Sequence, residues 1–333
     1  MFKGLLITKD GNELFGELTI DKKAHFEEKK IDEVKYIITP TFFNAHTHLG
    51  DSIAKDPEFM ELEKLVGPDG FKFKVLNRAS KKELSLAMRN SINVALKSGT
   101  SFLADFREGE IEGVKLLKQA DKKNVCVTFA RPSNIEEAEL LLKYNIDGFG
   151  MSSVRDHNLT FLEELRDFTR RERLMFAIHA GERDDEDVED ALALEPDLII
   201  HMNKASIKNL KKAIDERIPI VSCLRSNAFF NLLNPKNYQI LSEYERWLIG
   251  SDNVMISSPN MLSEMNFSSY LLKKEKEIFC AATRGFDVFR QGDSLIVFHT
   301  RRNLYKTKNL RSVVRRANTD DILKIVDKEL VIE

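Results

Sequence analysis

The 333-residue chain is poor in cysteine, proline and glycine, with three, eight and fifteen residues respectively. Cys126, Cys223 and Cys280 are odd in number and scattered, and no C-x-x-C occurs. This excludes a disulfide framework and fits a reducing cytoplasm. No G-x-G-x-x-G or G-x-x-x-x-G-K follows an apolar run, so the glycine-rich phosphate cradle of nucleotide-binding folds is missing. No apolar stretch approaches the roughly 20 residues of a membrane span, and the opening MFKGLLITKDGNEL has too short an apolar run for a signal peptide. A charge excess is absent as well. Fifty-one basic residues against 53 acidic ones leave a formal net charge of −2, which argues against a nucleic acid or a membrane surface as partner. The expectation is a cytoplasmic, globular protein acting on a small molecule, with homo-oligomerisation left open.

What is present is organised. The first forty residues read as short β-segments bracketed by turn residues, and DSLIVFHT and ILKIVDKELVIE near the other end are alike in kind. Residues 1–39 and 289–333 are therefore expected to form one composite β-sandwich. Between them, residues 40–288 alternate short buried-looking strands with helical segments. Eight strand candidates appear: YIITPTFFN, TSFLADF, NVCVTFA, DGFGMSS, LMFAIHA, DLIIHM, PIVSCL and RWLIGS. Most are near-continuous apolar runs, as strands covered on both faces should be. Helix starts are legible as Ser-x-x-Glu boxes at Ser80/Glu83 and Ser133/Glu136. Eight β/α units over about 250 residues match a closed (β/α)8 barrel, so the fold class is α/β, a TIM barrel with an appended β-sandwich.

In such a barrel the chemistry sits at the carboxyl ends of the strands. The first candidate ends in His46 and His48, whose i, i+2 spacing on an extended backbone points both imidazoles to one face. The fifth ends at His179 with Glu182 three residues on, the sixth at His201 and the eighth at Asp252. An isolated H-x-H is more often a solvated pair. Four of the seven histidines at strand ends, with an aspartate at the last strand, point instead to a metal centre. His46, His48, His179 and Asp252 form an N3O set suited to Zn2+ or Fe2+ with one position left for water. A bound divalent ion lowers the pKa of water from 15.7 towards roughly 7. Glu182 follows a glycine that permits a sharp turn off the strand, so its carboxylate can swing over the ion without ligating it and carry a proton. Asp252 can accept the water's proton. The acids from Asp184 onward read as a solvated helix start.

Taken together, ITPTFFNAHTHLGDS, HAGE, SCLRSN and IGSDN resemble motifs of the amidohydrolase superfamily, within it the cytosine/adenosine/guanine deaminase and chlorohydrolase branch. The resemblance covers nearly the whole chain. It implies His46, His48, His179 and Asp252 as ligands of one divalent ion, Zn2+ before Fe2+. It implies Glu182 as proton shuttle and His201 as a group that steadies the attacking water or the leaving amine. Neither the third nor the fourth strand offers the lysine that binuclear relatives carbamylate, so a single ion is expected. Leu224 stands where the branch usually has proline.

The implied reaction is hydrolytic deamination of a cyclic amidine such as an aminopurine, aminopyrimidine or aminopterin-like ring. Hydrolysis of a cyclic amide, an imidazolone or an N-acyl group is the alternative within the enzyme class, and a non-catalytic binding protein the alternative outside it. Arg107 and Arg225, at the ends of the second and seventh strands, suit a substrate phosphate or carboxylate. Equally, Arg107 suits an ion pair with Asp105 or Glu108. Cys223 reads as simply buried.

Overall fold

The protein is described here by a computed structural model covering residues 1–67 and 69–333. Its strands, in chain order, are β1 Phe2–Ile7, β2 Glu13–Ile20, β3 Ala24–Glu28, β4 Tyr36–Pro40, β5 Phe42–His48, β6 Thr100–Arg107, β7 Cys126–Ala130 and β8 Gly148–Met151. They continue with β9 Met175–Ala180, β10 Leu198–His201, β11 Ile220–Ser222, β12 Trp247–Ile249, β13 Asp252–Asn253, β14 Leu295–His299, β15 Ile322–Val326 and β16 Leu330–Ile332.

Seven strands from the two ends of the chain make one mixed sheet in the order β15-β14-β4-β1-β2-β3-β16. The expected sandwich is thus a single continuous sheet, with one apolar core that includes Leu6, Leu18, Phe26, Ile38, Val297 and Val326. The other nine strands form a parallel sheet in the order β12-β11-β10-β9-β8-β7-β6-β5-β13. The eighth barrel strand is broken after Ile249. Its first half, β12, pairs with β11, whereas its second half, β13, pairs with β5 through Asp252↔Thr47 and Asn253↔His48. The parallel sheet therefore returns to its first strand, as in a TIM barrel.

The run YIITPTFFN is not one strand. Thr41 donates its N–H to the Ser294 carbonyl (2.7 Å) and the next residue, Phe42, donates to the Gly99 carbonyl (2.9 Å). The backbone changes partner sheet in a single step, immediately after Pro40, which has no N–H to commit. Apolar patterning does not register such a change, because both halves are buried.

Among the described residues, three α-helices lie between β5 and β6: α1 Leu62–Val66, α2 Phe71–Leu76 and α3 Lys81–Lys97. α3 starts with the expected capping box. Glu83 N–H donates to Ser80 Oγ (3.3 Å) and Ser80 N–H donates to Glu83 Oε2 (2.9 Å). The second expected box is shifted by one residue. Asn134 caps Ile135–Leu141 by accepting from Glu137 N–H (2.9 Å), while Ser133 donates to the Glu137 carboxylate.

The chain folds into two compact units, one of residues 1–44, 95–102 and 260–333, the other of residues 45–94 and 103–259. In the first, the helix Glu275–Thr283 joins the terminal segments through Glu275, which accepts from Arg315 Nε at 2.7 Å. Every residue of the candidate site lies in the second unit. Among the described residues, no helix is long and apolar enough to cross a membrane. Ser80→Ala should remove the α3 cap and lower the melting temperature by roughly 2 °C; an unchanged melting curve would mean the cap contributes nothing.

Candidate metal centre and active site

β5 delivers His46 and His48 to one face, as the two-residue period requires, while the intervening Thr47 turns away and donates its hydroxyl to the Ala104 carbonyl (3.0 Å). His46 Nε2 lies 3.2 Å from His179 Nε2 and 3.2 Å from Asp252 Oδ1. His48 Nε2 lies 3.6 Å from the same aspartate oxygen. The three histidines, which come from β5 and β9, bring their ligand atoms within 4.8 Å of one another.

The donors explain why these atoms need a cation. His179 Nδ1 is 2.7 Å from the Met151 carbonyl, which only accepts, so that nitrogen carries the proton and Nε2 presents a lone pair. His48 Nδ1 sits 3.2 Å from the Phe106 carbonyl and 3.0 Å from Glu108 Oε1, which fixes the same tautomer. The lone pairs of His48 and His179 therefore face a carboxylate oxygen, a repulsion that a positive ion among them relieves. A tetrahedron with bonds of 2.0–2.1 Å has edges of about 3.3 Å, close to the separations seen here. The donor set fits a divalent ion of zinc type.

Electrostatics point the same way. Burial pushes the His46 pKa down to about 3 and holds His179 well below the usual imidazole range, so both are neutral and ready to ligate. Burial alone would raise Asp252, but the imidazoles beside it, His46 first and then His201 and His48, hold it well below the usual carboxylate range. Its second oxygen, Oδ2, accepts from Ser226 Oγ at 2.6 Å, which orients the carboxylate. Asp252 adopts φ +59° and His201 φ +83°, left-handed values that cost a residue with a Cβ about 1–3 kcal/mol each. Such strain at two strand ends is an expected mark of a functional site.

Glu182 stands on the turn after β9, where Gly181 has φ +64°. Asp187 Oδ1 accepts the Gly181 N–H (2.9 Å), and Asn203 Nδ2 donates to the Glu182 carbonyl (3.0 Å), so the turn is held from both sides. Glu182 Oε2 is 3.6 Å from His201 Nε2, and Glu182, His201 and Asp252 form a second close group. Burial raises the Glu182 pKa, with the His201 charge opposing. The acids that follow are solvated only in part: Glu186, Glu189 and Asp190 are exposed as expected, but two others are tied into the fold. Asp187 is buried and also accepts from Ser153 Oγ (2.7 Å), and Asp185 accepts from Ser206 N–H (2.6 Å) and from Asn209. The helix after the turn starts only at Val188.

These groups open into a cavity of about 490 Å³ lined by His48, His179, Glu182, His201 and Asp252, and also by Leu62, Val66 and Phe73. Neither Arg107 nor Arg225 belongs to its lining. Arg107 is buried in ion pairs with Glu108 (2.9 Å) and Asp105 (3.5 Å), and Arg225 donates to the Ser258 carbonyl (2.8 Å). Three arginines do line the cavity, Arg155, Arg183 and, one residue beyond β7, Arg131. The strand-end rule that located the histidines applies equally to it. Lys72 and Glu108 also line the cavity. Glu108 is visible in the sequence as a partner for Arg107, but nothing in GFKFKVL marks Lys72. Cys223 is fully buried, and its sulfur forms a third close group with His46 and Asp252.

The purified protein should take up about one equivalent of Zn2+, and free zinc at a hundred times its Kd should stabilise the fold by about 2.7 kcal/mol. His179→Ala should lose that uptake in the same titration. Equal uptake by both proteins would place the metal elsewhere.

A family model described as "Amidohydrolase family" matches residues 37–288. An Archaeoglobus fulgidus protein named "Putative aminohydrolase" is 42% identical over 327 residues, 98% of this chain and 96% of its own. Among solved structures, a guanine deaminase from C. acetobutylicum with guanine bound superposes with TM-score 0.74 at 16% identity, covering 98% of each chain. An adenosine deaminase from Xanthomonas campestris with zinc bound gives 0.70 at 15% identity, covering 89% of this chain and 80% of its own. At those identities the likeness to the two deaminases concerns the fold, whereas the family match extends across most of the sequence. The chain belongs to the amidohydrolase family.

Proposed function

We propose that this hydrolase holds one zinc ion on His46, His48, His179 and Asp252 and hydrolytically deaminates a cyclic amidine. The observation that carries the reading is Glu182, a carboxylate outside the ligand set that faces the cavity beside His201 and Asp252. Two fold relatives, by their names, deaminate guanine and adenosine, and one carries zinc. When bound, the ion would supply a nucleophile at neutral pH by acidifying water.

The chain's own residues do the rest. Glu182, its pKa raised by burial, takes a proton from the attacking water and hands it to the ring nitrogen next to the amino-bearing carbon. That carbon becomes tetrahedral, its C–N bond to the amino group breaks, and ammonia leaves with the second proton. His201 Nε2, 3.6 Å from Glu182, steadies the oxygen or the departing amine by donating to it. Asp252 accepts from water on the other side, its orientation fixed by Ser226.

The cavity also bears on substrate size. At about 490 Å³ it lies within the range of about 300–1,000 Å³ usual for small-molecule sites. Arg131 donates through Nε to the Gly150 carbonyl (3.2 Å), and its Nη1 is 3.8 Å from Glu108. Its remaining donors suit a polar substituent on the ring.

Glu182→Gln should keep zinc and lose 10²- to 10⁴-fold in kcat, the range of a general acid–base contribution. Near-wild-type turnover would remove Glu182 from the mechanism. Ammonia release from a panel of aminopurines, aminopyrimidines and aminopterins, read by a coupled assay, tests the reaction itself. Zinc-loaded enzyme that releases none, yet opens a cyclic amide or an N-acyl bond, would contradict deamination.

A further inference from the structure

Beside the metal ligands lies a buried charged cluster that the proposed reaction does not use. Lys72 is 3% exposed, and its ammonium sits 2.6 Å from Glu108 Oε1 and 3.1 Å from Asp51 Oδ2. The same Glu108 oxygen is 3.0 Å from Nδ1 of His48, and its other oxygen accepts from Arg107 (2.9 Å). One carboxylate oxygen thus receives both a lysine carried on α2 and the outer nitrogen of a metal ligand. Sequestering so many charges from water costs several kcal/mol per ion unless the geometry is strict, so the arrangement calls for a reason beyond stability.

The helix pair α1 and α2, the cap, supplies Leu62, Val66, Lys72 and Phe73 to the cavity wall. They have five and six residues, far too few to be stable alone, so the seat of the cap depends on contacts with the rest of the fold. One such contact is a small apolar cluster of Ala54, Leu65, Phe230 and Met255. Another is polar, Lys72 on Glu108 and Asp51.

We propose that Glu108 is a positioning residue that orients His48 for the metal and ties it to the cap through Lys72, so that filling the metal site and seating the cap are energetically linked. The proposal rests on the reading of His48 as a ligand. An ion on Nε2 obliges Nδ1 to be the proton-bearing nitrogen, which makes it a fixed donor to Glu108. Without the ion, the same Nδ1–H still faces Glu108 and the Phe106 carbonyl, but the ring is less polarised and its bond to Glu108 is weaker. By reciprocity, whatever metal binding does to the cap contact, the cap contact does to metal affinity.

Amide hydrogen exchange on the full chain, with and without Zn2+, reads the link without any substrate. In the wild type, zinc should slow exchange across α1 and α2 at least tenfold. Lys72→Met, whose apolar stem fills the same space, should bind zinc but lose that protection, and Lys72→Arg should restore it. Glu108→Gln should weaken zinc binding 10- to 100-fold and shift the visible bands of the Co2+ form, which report ligand orientation. Wild-type exchange in β9 confirms that each variant is folded. Zinc-dependent protection of the cap that survives Lys72→Met, or an unchanged zinc affinity in Glu108→Gln, would overturn the proposal alone. Failure of the wild type to bind zinc would overturn the metal reading together with it.

Discussion

The structure around the barrel mouth depends on one constraint: acceptor atoms that face one another at the wall of the cavity. The Nε2 atoms of His46, His48 and His179 and an oxygen of Asp252 meet in a buried space where His48 and His179 have spent their N–H groups on other partners. A cation among them makes that arrangement favourable. The break in the eighth strand, the left-handed backbone at Asp252 and His201, and the hydrogen bond from Ser226 all serve to aim side chains at or around this point. The strain is tolerable because the surrounding strands are packed and paired on both sides.

The arrangement also separates two carboxylates by role. Asp252 is held ionised by the histidines around it, which suits a ligand. Glu182 has its pKa raised by burial, which suits a group that takes up and releases a proton in each cycle. The distinction comes from position. One acid sits on the strand that closes the barrel, the other one tight turn beyond a strand end, where Gly181, Asp187 and Asn203 hold it over the cavity. Environment sets their pKa values apart, and that difference is what proton-shuttling chemistry needs.

Much of this is legible in the sequence because the barrel converts order along the chain into place in space. Strand ends are readable as apolar runs, and a histidine at each of three of them must share the mouth once the sheet closes. The parts that were not legible depend on tertiary detail that periodicity does not carry. Pro40 and Thr41 hide a change of sheet inside one apolar run. Arg107 and Arg131 occupy similar strand-end positions, yet buried acids capture the first while the second faces the cavity. Asp185 and Asp187 look like surface charge until their partners Ser206, Asn209, Gly181 and Ser153 are in place. Lys72 belongs to a short helix with no signature, and its meaning appears only beside Glu108 and His48.

The metal centre is the claim on which the chemistry stands. Anomalous X-ray scattering at the zinc edge, recorded from crystals of the zinc-loaded protein, tests it most directly. The account predicts a single strong peak about 2.0–2.2 Å from Nε2 of His46, His48 and His179 and from a carboxylate oxygen of Asp252. A peak ligated by other residues, or none at the barrel mouth, would contradict it.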